Sequence, residues 1–149
     1  MPGDLTEEER RIIAQKHYDH WLKTAQSFFT GYGDYIGRKD YSIAAFMLHQ
    51  ATERLFACTL LVCTNYLPKS HNIEKFGKLC AQIDPEFADI FPMENKFHRR
   101  SFRRLQRAYI DARYSEHYEI TVEELDYLAG EVAKLKGVVE RVCQGRIDG

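Results

Sequence analysis

Apolar residues recur at three- and four-residue intervals along most of the chain, which is the pattern of helices packed in a bundle. Residues 40–65 are apolar on nearly every side, so we predict a central helix buried between its neighbours. Similar stripes predict a first helix from Thr6, a short helix over 73–82, a helix over about 94–114 and a last helix from Thr121 to Gly145. No stretch alternates as a strand does. The prediction is an all-α, up-and-down bundle of four main helices plus one short helix.

Local signals mark the ends of these helices. Thr6 and Thr121 each have a glutamate three residues later, which is the spacing of a capping box. Asp40 and Asn72 are suitable N-caps for the central helix and the short helix. Pro68 follows the central helix and is typical of a helix stop.

Length and composition limit the classes of protein. The 149 residues predict a single domain over 1–149, with its core at about 6–144. The formal net charge of −1 argues against nucleic-acid binding through overall charge, although a local basic patch remains compatible with it. The longest apolar run, 56–63, is too short to cross a bilayer, so no membrane association is expected.

The N-terminal residues lack the apolar core of a secretion signal, which favours a cytoplasmic protein. The four cysteines form no CxxC pair and fall at apolar helical positions, so we expect reduced core thiols. We therefore predict no metal site and no cofactor.

A row of cations follows one face of the predicted 94–114 helix, and we name it the basic ridge. Its residues are Lys96, Arg99, Arg100, Arg103, Arg104 and Arg107. One interpretation is a solvated face whose charges are matched by acidic side chains of the first or last helix, or of a partner subunit. The other is a phosphate-contacting surface, which would position a nucleic-acid backbone without reading its sequence.

The central helix carries one polar patch, formed by His49, Gln50 and Glu53. An unpaired buried carboxylate is costly, so Glu53 should have a cationic partner or open onto a cleft. Arg113 lies at the border of the basic and apolar faces, one turn after Tyr109. We expect Arg113 to lie within direct or water-bridged reach of Glu53.

If the helix continued beyond Tyr114, Arg113 and His117 would share one face, four residues apart. An Arg and a His facing one cleft suit phosphate chemistry, because Arg stabilises negative charge and His transfers protons near neutral pH. Arg113 and His117 are therefore the predicted catalytic residues if the protein is an enzyme. The predicted ligand-binding residues are His49, Gln50, Glu53, Tyr109, Tyr114 and Tyr118.

Three blocks of sequence resemble the HEPN (higher eukaryotes and prokaryotes nucleotide-binding) domain family. They are residues 45–53 (AFMLHQATE), 71–76 (HNIEKF) and 109–114 (YIDARY), and the start of the last helix (TVEEL, 121–125) also fits. The resemblance covers roughly residues 10–144. It is strongest to HEPN domains that are fused to, or paired with, a minimal nucleotidyltransferase.

The resemblance implies an up-and-down bundle that forms a homodimer with a cleft at its interface. Active members are metal-independent ribonucleases, including toxins of toxin–antitoxin pairs, with an Arg-x(4–6)-His motif. Arg113 matches the motif's arginine, but only three residues separate it from His117. The chain has no Gly-Ser motif followed by paired aspartates, so the nucleotidyltransferase itself is absent from this sequence.

Three functions remain open at this point. The first is a dimeric module that binds a nucleotide or RNA, working with a nucleotidyltransferase partner. The second is a toxin-type endoribonuclease that uses Arg113 and His117. The third is a structural dimerisation domain without a ligand of its own.

Overall fold

The helix α2, Tyr41–Thr64, is the centre of the molecule, as its apolar pattern predicts. The computed structural model describes residues 4–149. Within that range the protein is an all-α bundle, which confirms the predicted fold class. The remaining helices are α1 (Glu7–Gly37), α3 (Ile73–Ile83), α4 (Lys96–Arg107), α5 (Asp111–Tyr114) and α6 (Val122–Asp148), with a 3-10 turn at Pro85–Asp89.

The core forms around α2 because its neighbours cover it on several sides. Helix α1 packs along α2 most extensively, followed by α6 and α3. Leu48, Ala51 and Cys58 of α2 are completely buried, and so are Leu128 and Leu135 of α6. A helix that is buried all round has to satisfy its polar side chains within the protein, which gives its polar patch special weight.

The predicted caps are present and fix where the helices begin. Thr6 accepts a hydrogen bond from Glu9 N at 3.0 Å, and Asp40 accepts one from Ile43 N at 3.3 Å. Asn72 caps α3 through the backbone N–H groups of residues 74 and 75. The last helix does not end at Gly145 as predicted, since it continues to Asp148.

The prediction of one continuous helix over 94–114 is wrong. Helix α4 ends at Arg107, and a short turn separates it from α5. In that turn Arg113 N donates to Ile110 O at 3.2 Å, so the Tyr109 carbonyl has lost its usual helical donor. The Arg113 side chain takes that place, with its Nε 2.9 Å from Tyr109 O. Because of this turn, the residues after Arg107 do not continue the faces of α4.

No helix within residues 4–149 combines the length and the apolar character that crossing a bilayer requires. Three of the four cysteines, Cys58, Cys80 and Cys143, are buried in the core, and none forms a disulfide. The predicted core positions of these thiols are therefore confirmed, while Cys63 is partly exposed.

Candidate functional site

The Tyr109 ring lies at the junction of α2, α5 and the loop before α3. The His71 imidazole stacks on it, with ring centroids 4.2 Å apart and planes inclined by 20°. The His49 ring lies 5.3 Å away, and Arg113 Cζ is 5.1 Å from the same ring. The turn after α4 thus brings two predicted site residues, His49 and Arg113, and one loop histidine around the Tyr109 ring.

Glu53 has two partners, and Arg113 is not one of them. Its Oε1 lies 2.8 Å from His71 Nδ1, and its Oε2 lies 3.5 Å from Arg54 Nη1. Of the two forms expected for the contact between Glu53 and Arg113, direct and water-bridged, the direct ion pair is therefore wrong. The physical reason is the helix break, because Arg113 reaches back to the Tyr109 carbonyl and meets α2 at Phe46, about two turns before Glu53.

The Arg113 side chain is exposed, yet it is held in place. Two of its nitrogens, Nε and Nη2, donate to the Tyr109 carbonyl. Its Cζ lies 4.5 Å from the Phe46 ring centroid and 4.9 Å from that of Tyr114. Aromatic faces attract a guanidinium, so these rings fix its plane while leaving other N–H donors towards solvent.

His49 and Gln50 form the buried floor beneath this group. His49 is completely buried, and its Nε2 has no hydrogen-bond partner among residues 4–149. Burial lowers the pKa of His49 to about 4, so the ring is neutral at pH 7. Gln50 Oε1 accepts from Arg54 Nη1 at 3.1 Å. Both residues support the site from within, and neither is placed to move protons to a ligand.

Two apolar side chains beside Arg113 are open to solvent. Tyr114 is 75% exposed and Ile110 is 56% exposed. Large apolar groups exposed next to a fixed cation are unusual on a protein surface, and such patches frequently mark a binding surface. We name the surface formed by Tyr109, Ile110, Arg113 and Tyr114, together with Phe46, the Arg113 platform.

The two remaining predicted site residues lie apart from this platform. Helix α5 ends at Tyr114 and Ser115 is extended, so Arg113 and His117 do not share a helical face. The His117 side chain is 88% exposed, and its charged neighbour is Glu116 at 3.5 Å. Tyr118 is partly buried, and its hydroxyl donates to Arg104 O at 2.7 Å. The prediction of one Arg-His face is wrong.

Half of the basic ridge is engaged in ion pairs within the bundle. Arg100 Nε and Arg104 Nη1 contact the two oxygens of Glu124 at 2.9 and 2.6 Å, and Glu124 is completely buried. Arg103 Nη1 pairs with Glu74 of α3 at 3.1 Å. For Arg100 and Arg104 the interpretation as a face matched by acidic side chains of the last helix is confirmed, whereas the partner of Arg103 comes from α3, which that interpretation did not name.

The other half of the ridge has different surroundings. Arg99 Nη1 donates to the Met93 carbonyl at 3.2 Å, and all three of Lys96, Arg99 and Arg107 are exposed. Within the described part of the chain, no salt bridge joins them to a carboxylate. These cations are free to attract a polyanion. In the same range no three His, Cys, Asp or Glu side chains are grouped as metal ligands.

Sequence reasoning missed His71 and Phe46 as parts of the site. Phe46 precedes Gln50 and Glu53 by four and seven residues, so helical spacing alone could have placed it on the polar face of α2. His71 lies 18 residues from Glu53 in a loop. No local signal predicts that contact, since it depends on how the loop crosses α2.

A family model described as HEPN domain matches residues 18–142, which is most of the chain and includes α2, the loop histidine and the Arg113 platform. A search of curated proteins gave no significant match. The matched region covers most of the helical bundle and contains all of the blocks that suggested the resemblance. The protein belongs to the HEPN domain family.

Proposed function

We propose that this HEPN domain binds single-stranded RNA or a nucleotide at the Arg113 platform. The observation that carries the proposal is an exposed guanidinium framed by three aromatic rings, one of which, Tyr114, is 75% exposed. The Arg113 guanidinium suits a phosphate, and the Tyr114 ring suits a base. Both lie on α5 and follow each other in sequence, so one nucleotide could contact both.

The phosphate part rests on the donors of Arg113. A guanidinium has five N–H donors, and the Tyr109 carbonyl engages only Nε and Nη2. The remaining donors form a planar edge, which matches two oxygens of a phosphate. Because the rings already restrict the side chain, less conformational entropy is lost when a ligand binds.

The base part rests on the exposed ring of Tyr114. Proteins recognise unpaired bases largely by stacking them on aromatic side chains, and such stacking contributes about 1–3 kcal/mol per base. Stacking accepts any base, so the platform by itself favours single strands without a marked sequence preference. Exposed Ile110 extends the apolar surface next to the ring.

The free half of the basic ridge supports a longer ligand. Lys96, Arg99 and Arg107 lie on α4, which leads directly into the turn before Arg113. Clustered cations raise the local concentration of a polyanion even when the whole protein is nearly neutral. RNA of several nucleotides should therefore bind more tightly than a mononucleotide, and its affinity should depend on salt.

The proposal keeps the homodimer and the minimal nucleotidyltransferase partner, possible in a toxin–antitoxin pair, as predictions from family resemblance. The exposure of Ile12 on α1 is compatible with a dimer surface. The ribonuclease that uses Arg113 with His117 is less favoured, because no contact in the described residues joins the two. A purely structural role does not explain why the Arg113 platform presents a held cation and apolar side chains to solvent.

The test is equilibrium binding of a fluorescein-labelled single-stranded RNA, followed by anisotropy at low salt. Arg113→Gln should weaken binding by about 10–100-fold, the value of a charge-assisted hydrogen bond of about 1.5–3 kcal/mol. Arg146→Gln is the matched control, since Arg146 is an exposed arginine beside the first turns of α1. Equal affinities of the two variants, or no binding by the wild type, would contradict the proposal.

A further inference from the structure

A hydrogen-bonded carboxylate and imidazole lie next to the Arg113 platform. Glu53 is 8% exposed and approaches His71 Nδ1 to 2.8 Å, while the His71 side chain is 54% exposed. The Tyr109 ring stacks on the imidazole and restrains its plane. The other oxygen of Glu53 lies 3.5 Å from Arg54, which holds the carboxylate itself in place. The His71 ring is therefore held by two contacts, the pairing with Glu53 and the stack on Tyr109.

This geometry determines which nitrogen of His71 is available. A carboxylate that accepts from Nδ1–H holds the neutral ring in the tautomer whose Nε2 carries a lone pair. No described residue forms a hydrogen bond with His71 Nε2. The ring is thus an oriented proton acceptor on a half-exposed side chain. Neither buried His49 nor almost fully exposed His117 has a carboxylate arranged in this way.

We propose that His71, oriented by Glu53, is the catalytic base of an RNA-cleaving site in which Arg113 holds the phosphate. This inference rests on the proposed function, because the RNA must first bind at the Arg113 platform. Tyr109 connects the two groups, since its ring contacts both the His71 imidazole and the Arg113 guanidinium. The acid–base residue is then a loop histidine before α3, and His117 has no part in the reaction.

The reaction balances without a metal or another reactant. His71 Nε2 takes the proton of a ribose 2′-hydroxyl, and the 2′-oxygen attacks the adjacent phosphorus. The bond between phosphorus and the 5′-oxygen breaks, and the leaving 5′-oxygen takes a proton from water. The hydroxide so formed neutralises the His71 imidazolium. The products are a 2′,3′-cyclic phosphate and a 5′-hydroxyl end, while Arg113 stabilises the extra charge on the phosphate oxygens.

The test uses the full chain with a single-stranded RNA in excess EDTA, and measures cleavage and binding separately. His71→Gln should lower the cleavage rate by about 10²–10⁴-fold, the usual contribution of general base catalysis. Its RNA affinity should stay within about threefold of the wild type, since Gln can still donate to Glu53 and fill the loop. His20→Gln, on an exposed histidine of α1, is the control and should cleave as the wild type does.

The outcomes separate the two proposals. Loss of cleavage in His71→Gln alone, with binding retained and a 2′,3′-cyclic phosphate end on the wild-type product, supports the inference. Cleavage that survives in His71→Gln but is lost in His117→Ala overturns it. RNA binding without cleavage by the wild type overturns the inference and leaves the proposed function standing. Absence of RNA binding overturns both.

A second measurement applies if His71→Gln does not fold, as judged by circular dichroism. His71→Asn is then compared, and the pH dependence of the wild-type rate is measured between pH 5 and 8. The rate should depend on pH, because general base catalysis requires the base in its neutral form. A rate independent of pH across this range would overturn the role of His71.

Discussion

Glu124 offers the sharpest test of how α4 is fixed to the bundle. Its buried carboxylate accepts from Arg100 Nε at 2.9 Å, from Arg104 Nη1 at 2.6 Å and from Thr121 N at 2.9 Å. Glu124→Gln keeps the shape and one acceptor oxygen, but it removes the charge and one acceptor. We expect this substitution to destabilise the protein, because the two arginines lose their common anion.

The size of the expected destabilisation depends on how deeply Glu124 and its two arginine partners are buried. Removing one partner of a buried ion pair costs about 3–5 kcal/mol. Here the side chains of Arg100 and Arg104 are 49% and 23% exposed, so water can partly replace the lost carboxylate. The expected loss is therefore about 2–3 kcal/mol, below the fully buried case. For a chain of this size the corresponding fall in Tm is roughly 5–10 °C.

The assay is equilibrium unfolding in urea, where the midpoint should fall while the slope stays unchanged. The control is Glu123→Gln, since Glu123 is exposed in the same turn of α6 and should change stability by no more than about 0.5 kcal/mol. If the two variants had the same midpoint, the Glu124 network would not stabilise the fold.

The same network predicts a dependence on pH. Burial alone raises the pKa of Glu124, but the hydrogen bonds from Arg100, Thr121 N and Arg104 outweigh it and leave the pKa below its ordinary value of 4.5. The unfolded chain therefore binds a proton more readily than the folded one. The contribution of Glu124 is complete above pH 4.5 and is lost as the pH falls through its folded pKa. The difference between wild type and Glu124→Gln should shrink below pH 4.5.

Three further predictions concern other parts of the molecule. The double variant Arg99→Glu and Arg107→Glu should weaken RNA binding for all sequences alike, and each lost phosphate contact should flatten the slope of log K against log salt by about 0.7–0.9. Wild-type behaviour would show that these cations are only solvated. Because burial keeps His49 neutral in the folded protein while the unfolded chain takes up a proton, stability should fall as the pH falls from 6.5 to about 4, by up to about 3 kcal/mol, and His49→Gln should remove that loss in urea unfolding series. Light scattering at tens of micromolar protein should report a homodimer, and a monomer would contradict the family-based prediction.

The parts of the fold that sequence predicted well depend on local rules. The capping boxes at Thr6 and Thr121 need only neighbours within one turn, and burial of α2 follows from its composition. The break after Arg107 was missed because apolar and basic periodicities continue through it. The break costs the Tyr109 carbonyl its helical backbone donor, and the Arg113 side chain donates to that carbonyl instead. Residue spacing does not indicate this replacement.

The sequence predicted which residues lie near the candidate site better than it predicted which of them contact each other. His49 and Arg113 do contact the Tyr109 ring, and Glu53 pairs with the His71 imidazole that stacks on it, although no ion pair joins Glu53 to Arg113. The true partner of Glu53 comes from a loop, so it depends on the path of the chain between α2 and α3. Which cations of the basic ridge form ion pairs could not be predicted, because Arg100 and Arg104 depend on how α6 packs against α4, and Arg103 depends on the position of α3.

Photochemical cross-linking of a single-stranded RNA that contains 4-thiouridine, with the linked residues identified by mass spectrometry, tests the central claim most directly. Tyr66 is an internal control, because it is 67% exposed and follows the end of α2, about three turns beyond Glu53. We predict cross-links at Tyr114 and Tyr109, which Arg113→Gln should reduce. Cross-links at Tyr66 or elsewhere with none at residues 109–114 would contradict RNA binding at the Arg113 platform.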